Sequence, residues 1–326
     1  MAGKKERAKG TGSEPYSGYQ VNDASLERQA KRKAVLEEER KRRVLSNIDP
    51  VLKQHAVTRA RDLPVNMRKY WNNRHDLFSL FDGSSETGQI PLLDAESWYS
   101  VTPEAIAARI AERCRCNTVV DAFCGAGGNA IQFAFTCERV IAIDVDPIKV
   151  ALARWNAKVY GVDDRITFLV GDFFDYVKAC RRFRDEGVRD DAQAWQGSET
   201  ANIDVIFLSP PWGGVTYRDP SSIQANNHTG EELGSTASGP AYYPLSLLAP
   251  TGGKVMFDAA SSLTSNVAMF LPRNVDLKEV VGLAEGTEST EEKGEVIVDV
   301  EEQFMGEYCK ALSCYFGELT KFDGSW

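Results

Sequence analysis

Several features that mark other protein classes are missing from this chain of 326 residues. It has seven cysteines but no Cys-x-x-Cys pair, and the spacing of Cys114 and Cys116 is too tight for the usual zinc ligands. We therefore predict no metal site and expect reduced thiols in an intracellular protein. No apolar run reaches the length of a transmembrane helix and the N-terminus is charged rather than signal-like, so we expect a soluble protein.

An overall basic character is also missing, since the formal net charge is −9, which by itself argues against a nucleic-acid binder. The distribution of charge changes that interpretation. Residues 1–43 hold twelve Lys/Arg and seven Asp/Glu, a net +5, so the remainder carries −14. The basic clusters at 4–7 and 28–43 are typical of nuclear-import signals or phosphate-binding arms. The second cluster fits a solvated helix with internal ion pairs equally well.

Composition divides the chain into three predicted segments. Residues 1–62 form a basic N-terminal arm, disordered at its start and continuing as a long charged helix over 25–62. Residues 63–115 form a helical extension that covers the active site, with aromatic residues interleaved with cations. Residues 116–326 form the main domain, in which strands alternate with helices.

The stretch TVVDAFCGAGGNAIQF at 118–133 predicts a buried strand, a glycine turn and a helix capped by Asn129. This is the nucleotide-site geometry of a doubly wound sheet. Gly125 and Gly127 also match the dinucleotide fingerprint, but Asp121 would face a pyrophosphate with like charge. The same carboxylate suits S-adenosylmethionine, which carries an ammonium and a sulfonium. A helix cap or a solvated strand end is the remaining alternative for Asp121.

Two more acidic positions follow predicted strands. Asp144 is expected to accept hydrogen bonds from both ribose hydroxyls of the cofactor. Asp146 is assigned to the cap of a helix over 147–160, although the reverse assignment of these two acids stays open. Asp172 is expected to accept from the adenine amine, and Phe173 to close on the ring.

Another buried strand continues directly into Ser209-Pro210-Pro211-Trp212. This sequence resembles the Asn/Asp-Pro-Pro-aromatic loop of enzymes that methylate exocyclic amino groups. The prolines lack N–H donors and leave carbonyls to accept from an NH₂ group, while Ser209 adds an adjustable acceptor. Trp212 is predicted to stack on the base, with a packed tryptophan in a tight turn as the alternative. No strong base is needed for this chemistry, which fits motifs without His or Glu.

The remaining pattern completes an α/β fold. Thr102 is predicted as the N-cap of a helix over 103–113. Strands that alternate with helices and end in an antiparallel ribbon predict a Rossmann-like, seven-stranded, mostly parallel sheet with helices on both faces. Residues 178–202 predict a helix with a surface insertion, and residues 213–240 a mobile loop beside the substrate pocket.

Seven blocks, in order, resemble the trimethylguanosine synthase family of RNA cap hypermethylases: KYWNNRHDLFSLFD, WYSVTPE, VVDAFCGAGGNAIQFA, VIAIDVDPIKVALARWNAKVYG, GDF, IFLSPPWGGVTY and FLPRN. The resemblance covers residues 66–320 and departs from the family in 178–202 and after Trp212. It implies a class I methyltransferase that uses S-adenosylmethionine. The implied reaction converts 7-methylguanosine caps of small nuclear and nucleolar RNAs to the 2,2,7-trimethyl form.

The resemblance also implies roles for individual residues. The cofactor positions are Phe78, Thr102, Asp121, Asp144 and Asp172. The cap or phosphate positions are Lys69, Asn156, Ser209, Pro210, Trp212 and Arg273. Capped RNAs are the implied partners, with the core proteins of their particles as further candidates and no membrane. The expected location is the nucleus, including the nucleolus, with some protein in the cytoplasm.

Three alternatives to this function stay open at this point. The first is an amino methyltransferase for another base, adenine N6 or a tRNA guanine N2, and dependence on the 7-methyl group would separate it from a cap enzyme. The second is a dehydrogenase, which Asp121 opposes. The third is a cap-binding module without catalysis, which would bind the cap and transfer no methyl group.

Overall fold

The computed structural model describes residues 48–188, 201–213, 242–284 and 298–321, together with the single positions 27, 30–32, 35, 195 and 198. Contacts divide the chain into two units, Met1–Asn47 and Ile48–Trp326. The described positions of the first unit are helical and exposed. Most of the predicted loop over 213–240 and part of the insertion in 178–202 lie outside the described residues.

The second unit is built on one sheet whose seven described strands have the order β3-β2-β1-β4-β5-β7-β6. The strands are β1 Thr118–Asp121, β2 Arg139–Asp144, β3 Ile166–Val170, β4 Val205–Leu208, β5 Val267–Pro272, β6 Asp299–Met305 and β7 Tyr308–Tyr315. The first five are parallel, and β7 pairs antiparallel with both β5 and β6. The predicted sheet and its terminal ribbon are confirmed.

Helices connect the strands and precede the sheet. They are α1 Pro50–His55, α2 Arg68–Asn72, α3 Arg74–Leu77, α4 Ser97–Ser100, α5 Glu104–Arg113, α6 Gly128–Thr136, α7 Pro147–Tyr160, α8 Phe173–Glu186, α9 Gly253–Ser261 and α10 Leu277–Ala284. Short 3-10 turns lie at Ala60–Asp62, Val65–Met67, Ser79–Asp82, Asp163–Arg165, Leu245–Leu247 and Gly317–Lys321.

Both faces of the sheet are covered by helices. Alternate strand residues such as Val120 and Ile206 join a core with Tyr176 of α8, and that core also includes apolar residues of α9 and α10. The opposite face carries Phe207, whose ring lies 5.3 Å from that of Phe133 in α6. Because side chains alternate between the faces of a strand, Val119 and Asp121 of β1 face α6, opposite Val120.

The compact unit includes residues that the sequence suggested were part of the N-terminal arm. Ile48 and Leu52 are buried, and the Val57 N–H donates to the Leu93 carbonyl at 2.8 Å. Asp49 caps α1, and the chain is extended from Ala56, so the single helix predicted through residue 62 is wrong. The compact unit therefore begins before the predicted boundary at 62.

Among the described residues, no helix combines the length and the apolar character needed to cross a lipid bilayer. The same part of the chain contains no group of His, Cys, Asp and Glu arranged for a metal ion. All seven cysteines carry free thiols, and five of them are buried. Burial and the neighbouring Asp121 and Asp144 raise the pKa of the Cys124 thiol well above its usual value.

Candidate active site

A cavity of about 1350 Å³ opens at the carboxyl ends of the parallel strands. The strand order reverses direction between β1 and β4, and ligands of open α/β sheets bind at such switch points. Sites for one small molecule usually measure about 300–1,000 Å³. The cavity is therefore large enough for a cofactor and a nucleotide at the same time.

Asp121 ends β1 and is fully buried. It is not itself among the residues that line the cavity, but the next residue, Ala122, is. Neither carboxylate oxygen of Asp121 makes a hydrogen bond of normal geometry with a described residue, although the backbone amides of Phe123 and Ala130 lie near enough to act on it. Burial raises the pKa of Asp121 to about 7, the charge of Asp144 adds to the shift, and the backbone amides of Phe123 and Ala130 oppose it. A buried carboxylate without partners is costly, and a cationic ligand group is the partner that would compensate it.

The glycine turn after β1 contains two residues with left-handed backbone, Gly125 at φ 51° and Gly127 at φ 89°. A Cβ on Gly125, which lines the cavity, would meet no atom within 4 Å, so the backbone there is open to a ligand. A Cβ on Gly127 would lie 3.0 Å from Ala153 of α7. Gly127 was predicted as a cofactor contact, but it is not among the residues that line the cavity. Its described role is to let α6 and α7 approach closely.

Asp144 ends β2 and lines the cavity. Its two oxygens accept from the Gly125 and Asp146 N–H groups, each at 2.9 Å, and thereby hold the glycine turn against β2. Each carboxylate oxygen retains a second lone pair for a ligand hydroxyl. Burial raises the pKa of Asp144, although these two amides lower it. Asp146 accepts from Ile148 N–H at 2.7 Å, so its predicted cap of α7 is confirmed.

Asp172 and Phe173 follow β3 and also line the cavity. Asp172 caps α8, because one of its oxygens accepts from the Phe174 N–H at 2.6 Å. Phe173 is buried, and its ring lies 6.0 Å from that of Phe123. These two positions therefore form an aromatic-lined corner with one acidic side chain, which suits a purine with an exocyclic amine.

The loop after β4 contributes Ser209, Pro210 and Trp212 to the cavity. The Ser209 hydroxyl donates to the Phe123 carbonyl at 3.4 Å, which links the loops after β1 and β4. Trp212 is half-buried, its ring lies 5.3 Å from that of Phe270, and its Nε1 donates to the Phe270 carbonyl at 3.2 Å. Trp212 thus packs on the core and also lines the cavity. The two roles considered for this residue, stacking on a base and packing in a turn, are therefore not exclusive.

Cationic and aromatic side chains lie on the β5 and β7 side of the cavity. The predicted Lys69 and Arg273 both line it. Arg273 follows β5 and its Nη1 donates to the Cys309 carbonyl at 3.4 Å. Tyr308 and Lys310, from the turn of the β6–β7 ribbon, also line the cavity and were missed by sequence reasoning. No local pattern indicated these two residues. They reach the cavity because β7 lies next to β5 in the sheet, and that order cannot be read from a terminal hairpin.

Asn156 was predicted to bind the cap, but the structure assigns it another task. It is fully buried, and its Oδ1 accepts from the Leu92 N–H at 2.7 Å. Its Nδ2 donates to the carbonyls of Leu92 and Ala126 at 3.0 and 2.9 Å. Both donors of the amide are therefore used within the protein. Asn156 braces the N-terminal extension against the glycine turn and does not line the cavity.

Phe78 was predicted to contact the cofactor, yet it is buried outside the set of cavity-lining residues. Its ring lies 6.1 Å from that of Phe81 and 5.9 Å from that of Tyr160. Its neighbour Leu77 lines the cavity instead. Phe78 is therefore a core residue that joins the N-terminal extension to α7.

Thr102 and Asn129 were predicted to cap α5 and α6, and both predictions are wrong. The Asn129 amide donates to the Thr102 hydroxyl at 3.0 Å, so the two polar side chains pair with each other. Helix α5 then begins after Pro103, and α6 begins after Gly127 without a side-chain cap. Thr102 still lines the cavity, as predicted for a cofactor position.

Lys149 is a cavity-lining cation that the sequence analysis did not single out. It is buried and ion-paired with Asp94 at 2.9 Å and Glu96 at 3.2 Å. A cation in the first turn of a helix faces the positive end of the helix dipole, which is unfavourable. The position of Lys149 in the first turn of the predicted helix could therefore have indicated that it has acidic partners elsewhere in the chain.

The functional side chains are ordered by charge along the sheet. Acids follow β3, β2 and β1, the Pro-Pro-Trp loop follows β4, and Arg273 follows β5. With neighbouring strands about 4.8 Å apart, β2 and β5 are separated by roughly 14 Å. One end of the cavity thus suits a cationic, hydroxyl-rich ligand, and the other suits an aromatic ring with anionic groups.

Comparison with known proteins gives a consistent result. A family model described as RNA cap guanine-N2 methyltransferase matches residues 116–319. The chain is 36% identical over 260 residues to the trimethylguanosine synthase of Schizosaccharomyces pombe, covering 78% of this chain and 87% of that protein. It is 32% identical over 254 residues to the trimethylguanosine synthase of Saccharomyces cerevisiae, covering 76% of this chain and 68% of that protein.

Similarity to solved structures is weaker. A protein from Porphyromonas gingivalis W83 matches with a TM-score of 0.48 and 15% identity, covering 78% of this chain and 51% of that one. Trm5b from Pyrococcus abyssi matches with a TM-score of 0.37 and 15% identity, covering 71% and 53%. The chain spans about half the length of these two proteins. The strand order itself defines the fold.

The buried carboxylate makes stability depend on pH in a defined window. The folded-state pKa of Asp121, about 7, lies above the ordinary value of 3.8, so its contribution to stability is fully present below pH 3.8 and is lost as the pH rises through about 7. We expect Asp121→Asn, which does not titrate, to gain stability relative to wild type over this window, by up to ~1.4 kcal/mol per pH unit. Urea unfolding of ligand-free protein between pH 4 and 8 measures the difference. Asp164→Asn, an exposed acid outside the cavity, controls for loss of a carboxylate, and a pH-independent difference for Asp121→Asn would contradict the assignment.

Proposed function

Because the chain belongs to the RNA cap guanine-N2 methyltransferase family, we propose that its cavity methylates the exocyclic N2 of 7-methylguanosine caps. The product of the complete reaction is the 2,2,7-trimethylguanosine cap. The observation that supports this proposal best is that one cavity is lined both by the glycine turn that follows the buried carboxylate of Asp121 and by the Ser-Pro-Pro-Trp loop. The first suits a cationic methyl donor, and the second suits a base with an amino group.

Methyltransferases of this family and fold generally use S-adenosylmethionine, which supplies an electrophilic methyl group when bound. The residues present fit that cofactor. Asp121 offers a buried carboxylate to its ammonium, and Gly125 leaves the backbone open to close approach. Asp144 is placed to accept from ribose hydroxyls, and Asp172 with Phe173 from the adenine. The dehydrogenase alternative loses its support, since Asp121 would oppose a pyrophosphate.

The loop after β4 positions the amino group. Pro210 and Pro211 lack N–H groups, so the backbone there offers acceptors and no competing donors. The Ser209 hydroxyl donates to the Phe123 carbonyl, which leaves its oxygen lone pairs available to an NH₂ group. Positioning of this kind supplies a large part of the rate of a bimolecular transfer. None of the described cavity-lining residues is a histidine, and the guanine N2 can lose its proton after transfer.

Recognition of the cap would use charge on both partners. A 7-methylguanine ring is cationic, and stacking on Trp212 adds a cation–π contribution of ~2 kcal/mol when desolvated. Arg273 and Lys310 are cavity-lining cations from the β5 and β7 side, Lys69 lines the cavity from the N-terminal extension, and all three suit the triphosphate bridge. An enzyme for adenine N6 would have no use for a cation–π platform, so the cap is the preferred substrate.

The RNA partners and the location are further parts of the proposal. Capped small nuclear and nucleolar RNAs are the substrates we infer, with core proteins of their particles as candidate partners. The basic first unit, Met1–Asn47, is suited to contact RNA phosphates or to direct the protein to the nucleus and nucleolus. A fraction of the protein is expected in the cytoplasm.

Dependence on the 7-methyl group tests the proposed reaction. Labelled methyl incorporation into one RNA carrying either an m7G or an unmethylated G cap should be at least tenfold greater for the m7G cap. The reason is that only the methylated ring is cationic and stacks with the additional cation–π energy. Nucleoside analysis of the product should place the label on guanine N2. Equal labelling of both RNAs, or label on adenine, would rule out the proposal.

A pair of tryptophan variants separates stacking from packing. Trp212→Ala should weaken m7GTP binding by roughly 30-fold, equivalent to the loss of ~2 kcal/mol, and Trp212→Phe should lose part of it. Trp155→Phe is the matched control, because Trp155 is also half-buried with its Nε1 donating to a carbonyl, Ile90 at 2.9 Å, but lies outside the cavity lining. Fluorescence titration measures affinity and thermal melting measures stability. Preserved m7GTP affinity in Trp212→Phe and Trp212→Ala would exclude the stacking role.

Deleting residues 1–47 tests the role assigned to the basic unit. The deletion should leave methylation of m7GTP unchanged, because Ile48 and Leu52 of the compact unit are retained. Affinity for capped RNA should fall, with a shallower dependence on salt, since fewer phosphates are neutralised. In cells, nuclear accumulation should decrease. Unchanged RNA affinity and location would leave no function for these charges.

A further inference from the structure

Helix α7 presents a row of polar side chains to the N-terminal extension. Lys149, Asn156 and Tyr160 recur at helical spacing, with Ala153 between them against Gly127. Lys149 contacts residues 94–97, Asn156 contacts Leu92, and Tyr160 donates to Glu104 at 2.5 Å. One face of α7 therefore holds the stretch that leads into α5.

Lys149 is the only charged member of this row. Its ammonium group lies 2.9 Å from Asp94, 3.0 Å from the Ser97 hydroxyl and 3.2 Å from Glu96. An ammonium has three N–H donors, so these three acceptors use all of them. Although Lys149 lines the cavity, it has no donor left for a ligand.

The stretch that Lys149 holds forms a wall of the cavity. Residues 96–103 all line it, from Glu96 to Pro103. Within this wall Trp98 is fully buried, and its ring lies 5.1 Å from that of Trp71 and 5.5 Å from that of Phe81. At its end, Thr102 accepts from Asn129, at the start of α6 beside the glycine turn. A shift of residues 96–102 would thus change the cavity next to Gly125.

We propose that Lys149 is a positioning residue that holds residues 96–103 as a wall of the cofactor end of the cavity. It acts through Asp94 and Ser97 rather than by touching the ligand. The inference rests on the proposed function only in naming S-adenosylmethionine and its product as the ligands of that end. Its consequence is selective: loss of Lys149 weakens cofactor binding and leaves cap binding intact.

Supporting electrostatics point the same way. Burial alone would raise the pKa of Asp94, but hydrogen bonds from Ser97 and Lys149 and the charge of Lys149 leave it lowered. The pKa of Asp144 is raised by burial, and the charge of Lys149 is among the influences that oppose this. Asp94 and Glu96 in turn raise the pKa of Lys149. The ion pair is partly shielded, with only 10% of the Lys149 side chain and 19% of the Asp94 side chain exposed. A buried pair of this kind favours one arrangement of the chain over its alternatives.

The test compares Lys149→Met with a matched lysine elsewhere. Lys178→Met is the control, since Lys178 is also paired with an aspartate, Asp175 at 2.8 Å, but its side chain is 76% exposed and outside the cavity. Calorimetric titrations with S-adenosylhomocysteine and with m7GTP are made on the full chain. Lys149→Met should bind S-adenosylhomocysteine at least tenfold more weakly and m7GTP within twofold of wild type. Lys178→Met should match wild type for both ligands.

A second measurement reports on the wall itself. Hydrogen exchange of the amides in 94–102 should accelerate in Lys149→Met and slow again when S-adenosylhomocysteine is added. Saturating S-adenosylmethionine should restore kcat, so the defect lies in KM for the cofactor. Wild-type S-adenosylhomocysteine affinity in folded Lys149→Met would overturn the proposal, as would an equal loss of affinity for both ligands.

The milder variant Asp94→Asn keeps the test decisive if Lys149→Met does not fold. It retains the volume and the hydrogen-bonding oxygen but removes the charge, and should weaken S-adenosylhomocysteine binding at least threefold. Unchanged affinity in Asp94→Asn would then overturn the proposal. A wild-type protein that binds S-adenosylhomocysteine but does not methylate m7G caps would refute the proposed function and leave this inference standing.

Discussion

Burial of the Asp121 carboxylate without a hydrogen-bond partner is the constraint around which the site is arranged. Taking a carboxylate out of water costs several kcal/mol unless a charge or donors compensate it. Burial accordingly raises the pKa of Asp121 to about 7, so that about half of the group is neutral at pH 7. Asp121 ends β1 at the switch point between β1 and β4, where ligands of such sheets bind, and the next residue, Ala122, lines the cavity. The free energy of the buried, ionised Asp121 carboxylate is therefore lowered when a cation binds beside it.

The surrounding structure fixes the backbone next to that position. Asp144 ties the glycine turn to β2 through Gly125, and Asn156 ties it to the N-terminal extension through Ala126 and Leu92. These contacts hold the backbone around the opening beside Gly125 without using Asp121 itself. The same extension forms a wall of the cavity. The cofactor end is therefore assembled by contacts between segments that are far apart in the chain.

Much of the architecture followed from local patterns in the sequence. The strands were predicted from apolar runs and the Asp146 cap of α7 from its position next to the helix, because these signals act over a few positions. Asn156 and the Thr102–Asn129 pair were misassigned because their partners are long-range. Asn156 accepts a hydrogen bond from the backbone N–H of Leu92, 64 positions away, and no local pattern predicts that contact. For Lys149 the local sequence showed only an unfavourable position at the positive end of a helix dipole. The acids that compensate it, Asp94 and Glu96, lie 55 and 53 positions earlier.

Proton release on ligand binding tests the central claim about Asp121 most directly. With a pKa of about 7, the carboxyl is about half protonated at pH 7, and a bound ammonium favours its ionised form. Titration of S-adenosylhomocysteine at pH 7 in buffers of different ionisation enthalpy should therefore show release of roughly 0.5 proton per site in wild type, beyond that in Asp121→Asn. Affinity should also fall in the variant. Equal proton release and equal affinity in the two proteins would contradict the account, because the carboxylate would then not be the partner of the cation.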